Sequence, residues 1–226
     1  MSLFITNSSC GGCRPAHLDA DQYHARTALL AQMLKRRSVA RFLVAPPGFG
    51  KTALMLEYAR SIFSFQETYW IRAQSPSFIR DLDKGVIVSS IVEHCSTTGL
   101  VVFESIPKLN AKRANDFSAV LDDLMAQGWG VVVSATPTCD VFQDIQSDRV
   151  LVEARDLLVT DEEVVQAYTE AELAKRPPDT LTLDDRIPCV FWSNDASPSQ
   201  SYKIFFEEEV PREILLDIFV RLVFGS

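Results

Sequence analysis

The sequence predicts an α/β fold in which helices cover both faces of a mostly parallel, five-stranded sheet, with a small helical subdomain after it. Two observations support this prediction. Five short apolar runs have the composition of buried strands, and helical patterns lie between them. Strands that alternate with helices of this length imply βαβ crossovers and hence a parallel sheet. The 226 residues suffice for one domain of ordinary size and a small appended subdomain.

The predicted elements follow one another along the chain. Residues 1–18 are rich in Ser, Gly and Cys without periodicity, which indicates an irregular arm. Apolar residues at helical spacing predict a helix over residues 19–37, which ends in basic residues that suit a helix C-terminus. A second helix is predicted over residues 112–127, where apolar residues recur on one face. The predicted strands are residues 41–44, 68–71, 100–103, 131–133 and 150–152.

The strand pattern stops after residue 152. A helix predicted from residue 161 to residue 175 is followed by Pro177 and Pro178, which interrupt it. The last helical stretch, residues 214–224, is more apolar than a free surface helix, which favours packing onto the domain over docking of a partner. We therefore predict an α/β domain over residues 19–156 and a helical, lid-like subdomain over residues 157–226.

Composition excludes several functional classes. The net charge of −8 argues against broad contact of this chain with nucleic-acid phosphates. Five cysteines do not form a disulfide framework, and the N-terminus lacks the pattern of a signal peptide, so we expect the reducing cytoplasm. The apolar run over residues 214–224 is too short for a bilayer span, so no membrane association is expected.

A glycine-rich segment connects the first predicted strand to the next helix. Such a loop lets backbone N–H groups surround a phosphate, and the helix N-terminus favours the anion. Lys51 is expected to reach the β- and γ-phosphates, and Thr52 to ligate Mg²⁺. The segment predicts a P-loop NTPase fold, and its alternative is a chance match in a tight turn. Its residues are Ala45, Pro46, Pro47, Gly48, Phe49, Gly50, Lys51 and Thr52.

Two further strand ends carry candidate site residues. Glu104 follows the third strand, where a carboxylate can hold Mg²⁺ or orient an attacking water; the alternative is a charge that faces solvent. Lys51 and Glu104 are thus the candidate catalytic residues. After the fourth strand, Ser134 or Thr136 is placed where a γ-phosphate sensor would lie, although small polar residues are also ordinary turn formers.

A possible metal site in the N-terminal arm has weaker support. Cys10, Cys13 and His17 form part of a zinc-ligand pattern, but no fourth ligand is nearby, which favours a thiol-bearing arm without metal. His24 and His94 have no partners at the spacing of a Ser-His-Asp hydrolase.

These residues together resemble the nucleotide-binding domain of MalT-like STAND ATPases, which lie at the front of many LuxR-type bacterial transcriptional regulators. Members carry a phrase like Ala-Pro-Ala-Gly-Phe-Gly-Lys-Thr-Thr-Leu, and residues 45–54 here are Ala-Pro-Pro-Gly-Phe-Gly-Lys-Thr-Ala-Leu. Members also have a Trp-bearing second strand, as in Tyr69, Trp70 and Ile71. The resemblance covers residues 18–166 and then weakens.

The resemblance implies a switch module that changes state on binding ATP with Mg²⁺, inside a regulator that self-associates or contacts helical domains. Members usually have two acids where this chain has Glu104 and Ser105, and an arginine is replaced near Thr136, so we expect slow or absent hydrolysis. Members continue into helical repeats and a DNA-binding domain, which implies that this chain is a fragment or a stand-alone relative. Two alternatives stay open: an active ATPase that does mechanical or loading work, and a scaffold that binds no nucleotide.

Overall fold

The computed structural model describes residues 5–7, 26–34, 39–62, 68–94, 98–137, 149–167 and 177–191. The chain divides into two compact units. The first comprises residues 1–44 and 51–152, and the second comprises residues 45–50 and 153–226. The predicted boundaries after residues 18 and 156 stay predictions.

A six-stranded sheet forms the centre of the first unit. Its strands in chain order are β1 (Ile5–Asn7), β2 (Ala40–Val44), β3 (Thr68–Arg72), β4 (Leu100–Ile106), β5 (Gly130–Ala135) and β6 (Arg149–Glu153). Their order across the sheet is β1-β3-β4-β5-β2-β6. The strands β3, β4, β5 and β2 are parallel to their neighbours in this group. The predicted α/β fold with a mostly parallel sheet and five apolar strands is thus confirmed.

The strand β1 corrects the sequence analysis, which assigned residues 1–18 to an irregular arm. Residues 5–7 pair antiparallel with β3, with Ile5 opposite Ile71 and Asn7 opposite Tyr69. Three residues are too few to establish a period of two, and their partner strand lies more than sixty residues away. The strand therefore has no signature that a local pattern could reveal.

Helices lie between the strands, as predicted. They are α1 (Thr27–Leu34), α2 (Lys51–Ile62), α3 (Pro76–Asp83), α4 (Ile87–His94) and α5 (Ala111–Ala126). Side chains cap two of them: Ser75 Oγ accepts a hydrogen bond from Ser77 N at the start of α3, and Asn110 Oδ1 accepts one from Arg113 N at the start of α5. The helix predicted over residues 112–127 is α5, and the one predicted over residues 19–37 is described only as α1.

The two faces of the sheet carry different helices. Successive side chains of a strand point to opposite faces. On one face, Phe42 belongs to the same buried cluster as Phe78 of α3, Ile87 of α4 and Phe117 of α5. Arg41 directly precedes Phe42, so its side chain lies on the other face, where it contacts α1 and α2. The predicted three-layer arrangement of helices around a sheet follows from this alternation.

Arg41 is fully buried and joins three elements. Its Nε donates to Met33 O of α1 at 2.7 Å, and its Nη1 donates to Val39 O at 2.7 Å. The guanidinium lies 4.8 Å from the centre of the Tyr58 ring of α2. Burial lowers the pKa of Arg41, whereas the neighbouring Tyr58 raises it. Because a buried cation needs such partners, Arg41 ties α1 and α2 to the start of β2.

The described part of the second unit after residue 152 is helical, with α6 (Asp161–Ala167) and α7 (Pro188–Phe191). Three 3₁₀ turns, Ala154–Leu157, Pro178–Thr180 and Asp184–Arg186, accompany them. Arg186 donates to Val159 O at 3.0 Å and to Pro178 O at 2.8 Å, which ties these segments together. The rest of the helix predicted to residue 175 and the helical stretch predicted over residues 214–224 lie outside the described residues.

We searched the described residues for a membrane span, and none of their helices is long and apolar enough to cross a bilayer. The longest of them, α5, has 16 residues and begins with charged side chains.

Replacement of Phe117 by Ala should strongly destabilise the first unit. The Phe117 ring is fully buried and packs edge-to-face on Phe103 at 5.1 Å and on Phe78 at 5.9 Å between ring centres. Its loss leaves a cavity between sheet and helix, so we expect a cost of about 3–5 kcal/mol in equilibrium urea unfolding. Val92→Ala removes an exposed side chain and should change stability by less than about 0.5 kcal/mol. Equal unfolding midpoints for the two variants would contradict this description of the core.

Candidate nucleotide-binding site

The loop between β2 and α2 has the backbone that the sequence analysis expected. Gly48 has a φ of 81° and Gly50 a φ of 74°, a region that residues with a Cβ rarely adopt. Within the second unit, Pro188 lies against Gly50, since a Cβ built there would be 3.5 Å from Pro188 Cβ. Ala45 and Phe49 are buried. The turn therefore requires glycine at two positions, and Lys51 follows it directly as the first residue of α2.

The first unit brings Thr52 and Glu104 together, although they are 52 residues apart in the chain. Thr52 lies in the first turn of α2, and Glu104 lies near the end of β4. The strand β2, which precedes α2, and the strand β4 lie on either side of β5. All three strands run parallel, so their carboxyl ends lie at the same edge of the sheet. Thr52 Oγ1 donates to Glu104 Oε1 at 2.9 Å. The hydroxyl and carboxylate that the sequence analysis proposed as Mg²⁺ ligands are thus direct neighbours.

The second carboxylate oxygen of Glu104 is held by Trp70, a residue that was not among the predicted site residues. Trp70 Nε1 donates to Glu104 Oε2 at 2.8 Å. In the sheet, Arg72 of β3 is opposite Glu104, so Trp70, two residues earlier, is its diagonal neighbour on the same face. The sequence did carry one signal for Trp70, because a buried indole N–H needs a hydrogen-bond acceptor. Only the register of β3 against β4 identifies Glu104 as that acceptor.

A β-bulge shapes the end of β4. Phe103 is opposite Val133 and Ile106 is opposite Ala135, so two residues of β4 face the single residue Ser134 of β5. The extra residue puts both Phe103 and Ile106 into the same buried cluster despite their odd spacing. Glu104 therefore pairs in regular register with β3 on one side and lies in the bulge against β5 on the other.

Ser105 adopts the strained conformation that this bulge requires. Its φ is 58°, the one positive value among the non-glycine residues that the structure describes. The Ser105 N–H donates to Ser134 Oγ at 2.9 Å. Since a bulge removes a ladder hydrogen bond, the Ser134 side chain supplies the missing acceptor.

This contact bears on the two predicted γ-phosphate sensors. Ser134 is only 1% exposed, and its hydroxyl is engaged by Ser105. Thr136 is half-buried and directly follows β5. A structural role accounts for Ser134 without a ligand, and the sensor role of either hydroxyl stays a prediction.

Lys51 is held in an environment that disfavours its charge. Burial lowers its pKa from 10.5 to about 8, and the nearby carboxylate of Glu104 opposes this shift. An anion beside Lys51 would raise its pKa again, because opposite charges at short range favour the ionised form. The electrostatics of Lys51 therefore favour an additional anion beside it.

The side chains present fit Mg²⁺ better than a softer metal. Mg²⁺ prefers oxygen ligands and is usually held by one or two carboxylates together with substrate phosphates. Thr52 and Glu104 supply such oxygens. Within the described ranges there is no group of three or more His, Cys, Asp or Glu side chains that could hold a metal ion. Cys10, Cys13 and His17, which match part of a zinc-ligand pattern, lie outside those ranges.

No protein-family model matches the sequence, and no curated protein matches it. Similar solved structures include a replication initiator DnaA bound to AMPPCP and single-stranded DNA, 12% identical, with a TM-score of 0.46 and coverage of 86% of this chain and 64% of that one. They also include C. elegans PCH-2, 15% identical, with a TM-score of 0.38 and coverage of 82% and 53%. A third is the HORMA:CdnC:Trip13 complex of E. coli MS115-1, 18% identical, with a TM-score of 0.39 and coverage of 74% and 68%.

The chain spans 64% of the DnaA chain and 53% of the PCH-2 chain. Its own topology carries the assignment of fold. The strand β5 lies between β2, which leads into the glycine-rich loop, and β4, which presents Glu104. The chain thus has the fold of a P-loop NTPase.

Ser134→Ala should destabilise the first unit although it removes a single oxygen. The Ser105 N–H then loses its acceptor beside a buried strand, which costs about 1–3 kcal/mol. Ser89→Ala is the matched control, because its hydroxyl donates to Val86 O on an exposed surface, and it should cost less than about 0.5 kcal/mol. Chemical denaturation of both variants distinguishes them, and equal stability would mean that the bulge does not depend on Ser134.

The lowered pKa of Lys51 predicts a pH-dependent stability. Between about pH 8 and 10.5 the unfolded chain binds more protons at this position than the folded chain, so stability should rise with pH in this window. Lys51→Met removes the buried charge and should be more stable than the parent chain at pH 7, by roughly 1–3 kcal/mol. The difference should vanish above pH 10.5. Lys112 lies on the exposed side of α5, and Lys112→Met is the control, which should not change the pH dependence of stability. A stability difference between Lys51→Met and the parent chain that stays constant with pH would contradict the effect of burial on the Lys51 charge.

Proposed function

We propose that this chain is a regulatory module that binds ATP with Mg²⁺ and hydrolyses it slowly or not at all. One observation carries the proposal: Thr52, at the start of the helix that follows a glycine-dependent turn, contacts the carboxylate of Glu104 at the end of a parallel strand. A turn of this kind followed by a helix N-terminus favours phosphate, and paired oxygens next to it favour a hard cation.

The residues have separate tasks in this proposal. Backbone N–H groups of the loop and the charge of Lys51 bind the β- and γ-phosphates. The oxygens of Thr52 and Glu104 hold Mg²⁺, directly or through water. When bound, Mg²⁺ bridges phosphate oxygens and neutralises part of their charge. The lowered pKa of Lys51 supports this assignment, since phosphate oxygens beside it would stabilise its charged form.

Slow hydrolysis is supported by the residues around Glu104. A general base must accept a proton from the attacking water, and the hydroxyl of Ser105, the next residue, is a poor base. Glu104 itself has one oxygen on Thr52 and the other on Trp70. Since Glu104 holds the cation in this proposal and Ser105 cannot replace it as a base, hydrolysis should be slow or absent.

The finer part of the proposal is that the module belongs to a MalT-like STAND regulator of bacterial transcription. It is supported by the likeness of residues 45–54 to that family's loop and by the Trp-bearing strand β3. The choice of ATP over GTP rests on the same resemblance. A switch of this kind acts through contacts with further copies or with helical domains.

Calorimetric titration of ATP, ADP and GTP with Mg²⁺ tests the proposal, with phosphate release followed in the same samples. We expect adenine-selective binding with negligible release. Lys51→Ala should weaken binding by about 10- to 100-fold, because a charge-assisted contact to phosphate is worth roughly 1.5–3 kcal/mol. Lys112→Ala, the same change at an exposed position, should bind like the parent chain.

Other outcomes select other functions. Steady turnover that falls sharply in Glu104→Gln would favour an active ATPase in which Glu104 orients the attacking water. Binding that survives Lys51→Ala unchanged would reject the proposed loop as the phosphate site. An absence of binding by the parent chain would favour a scaffold with the fold but not the ligand.

A further inference from the structure

The proposed function gives Trp70 itself no task, although its indole donates a hydrogen bond to Glu104. We propose that Trp70 is a positioning residue that holds one oxygen of the Glu104 carboxylate, so that the other oxygen stays beside Thr52 and available to Mg²⁺. This inference rests on the proposed nucleotide site, but it concerns a residue to which that site assigns nothing.

The geometry divides the carboxylate between two donors. Oε2 accepts from the Trp70 indole at 2.8 Å, and Oε1 accepts from the Thr52 hydroxyl at 2.9 Å. The two donors differ in whether they can also act as ligands of a cation. An indole N–H donates only, so its hydrogen bond to Oε2 persists, whereas the threonine hydroxyl can rotate and offer a lone pair to a cation.

The Glu side chain needs such an anchor more than a shorter acid does. Three rotatable bonds separate its carboxylate from the backbone, and the backbone on its C-terminal side leaves the regular ladder at Ser105. An unanchored carboxylate at this position would sample several rotamers. The indole is well placed to prevent this, because Trp70 is 6% exposed and sits in the interior of a parallel strand pair.

Outer partners of this kind act on metal affinity rather than on fold. Groups that orient a metal-binding carboxylate typically alter metal affinity by about 10- to 100-fold when they are removed. Trp70→Phe keeps an aromatic ring and deletes the N–H. Trp129→Phe is a matched control, because Trp129 is also 6% exposed and packs edge-to-face on Tyr69, 5.6 Å between ring centres.

The first test is the effect of Mg²⁺ on ATP affinity. For the parent chain and for Trp129→Phe, affinity should be higher with Mg²⁺ than in its absence. For Trp70→Phe we expect affinity without Mg²⁺ to stay unchanged and the gain from Mg²⁺ to fall about tenfold. In a Glu104→Ala background the same substitution should have no further effect, because Trp70 then has nothing to orient. An unchanged gain in Trp70→Phe would overturn the inference and leave the proposed function intact.

A second test needs neither nucleotide nor a Trp70 variant. In ¹⁵N-tryptophan-labelled protein, the Trp70 indole resonance is identified as the one retained in both Trp129→Phe and Trp192→Phe. Its proton should lie downfield, as for a donor to a carboxylate, and should move upfield in Glu104→Ala. An indole proton shift that is the same in Glu104→Ala as in the parent chain would overturn the inference, even if Trp70→Phe failed to fold. If the parent chain does not bind ATP, the proposed function is rejected, and the inference is rejected with it.

Discussion

The position of the Glu104 carboxylate is the constraint on which the candidate site depends. It lies where three separate parts of the first unit meet: α2 supplies Thr52, β3 supplies Trp70, and β4 supplies the acid itself. Only α2 and β3 follow one another along the chain, whereas α3 and α4 separate β3 from β4, so the parallel sheet brings the acid to its two partners. A shift of one residue in the register of β3 against β4 would turn the indole to the opposite face and leave the acid without its anchor.

The surrounding structure supplies the rigidity that this arrangement needs. Below the site, Phe78, Phe103 and Phe117 form an edge-to-face cluster that fixes β4 against α3 and α5. On the other face, buried Arg41 ties α1 and α2 to the sheet. These contacts offset the unfavourable features of the site, which include a serine at positive φ, a bulged strand and a lysine whose charge is disfavoured by burial.

Such features concentrate where sequence and fold are in local conflict. The sequence predicts that the strand ends at residue 103, yet β4 continues to Ile106 by bulging at Ser105, and the buried Ser134 completes its hydrogen bonds. Burial lowers the pKa of Lys51, which makes its charged form less favourable. Conflicts of this sort destabilise a fold and persist at functional sites, where a ligand can relieve them. That is why the site, rather than the core, supports the proposal of a bound triphosphate.

The sequence by itself determined the five apolar strands, the position of α5 and the glycine-dependent turn before Lys51, because each has a signal within about fifteen neighbouring residues. Helical spacing, apolar runs and the need for positive φ are local properties of the chain. The tertiary structure alone decided the pairing of β1, the hydrogen bond from Trp70 to Glu104 and the engagement of Ser134 by Ser105. Each of these contacts joins residues on different strands, and only the order and register of strands, set by burial of whole sheet faces, select the partner.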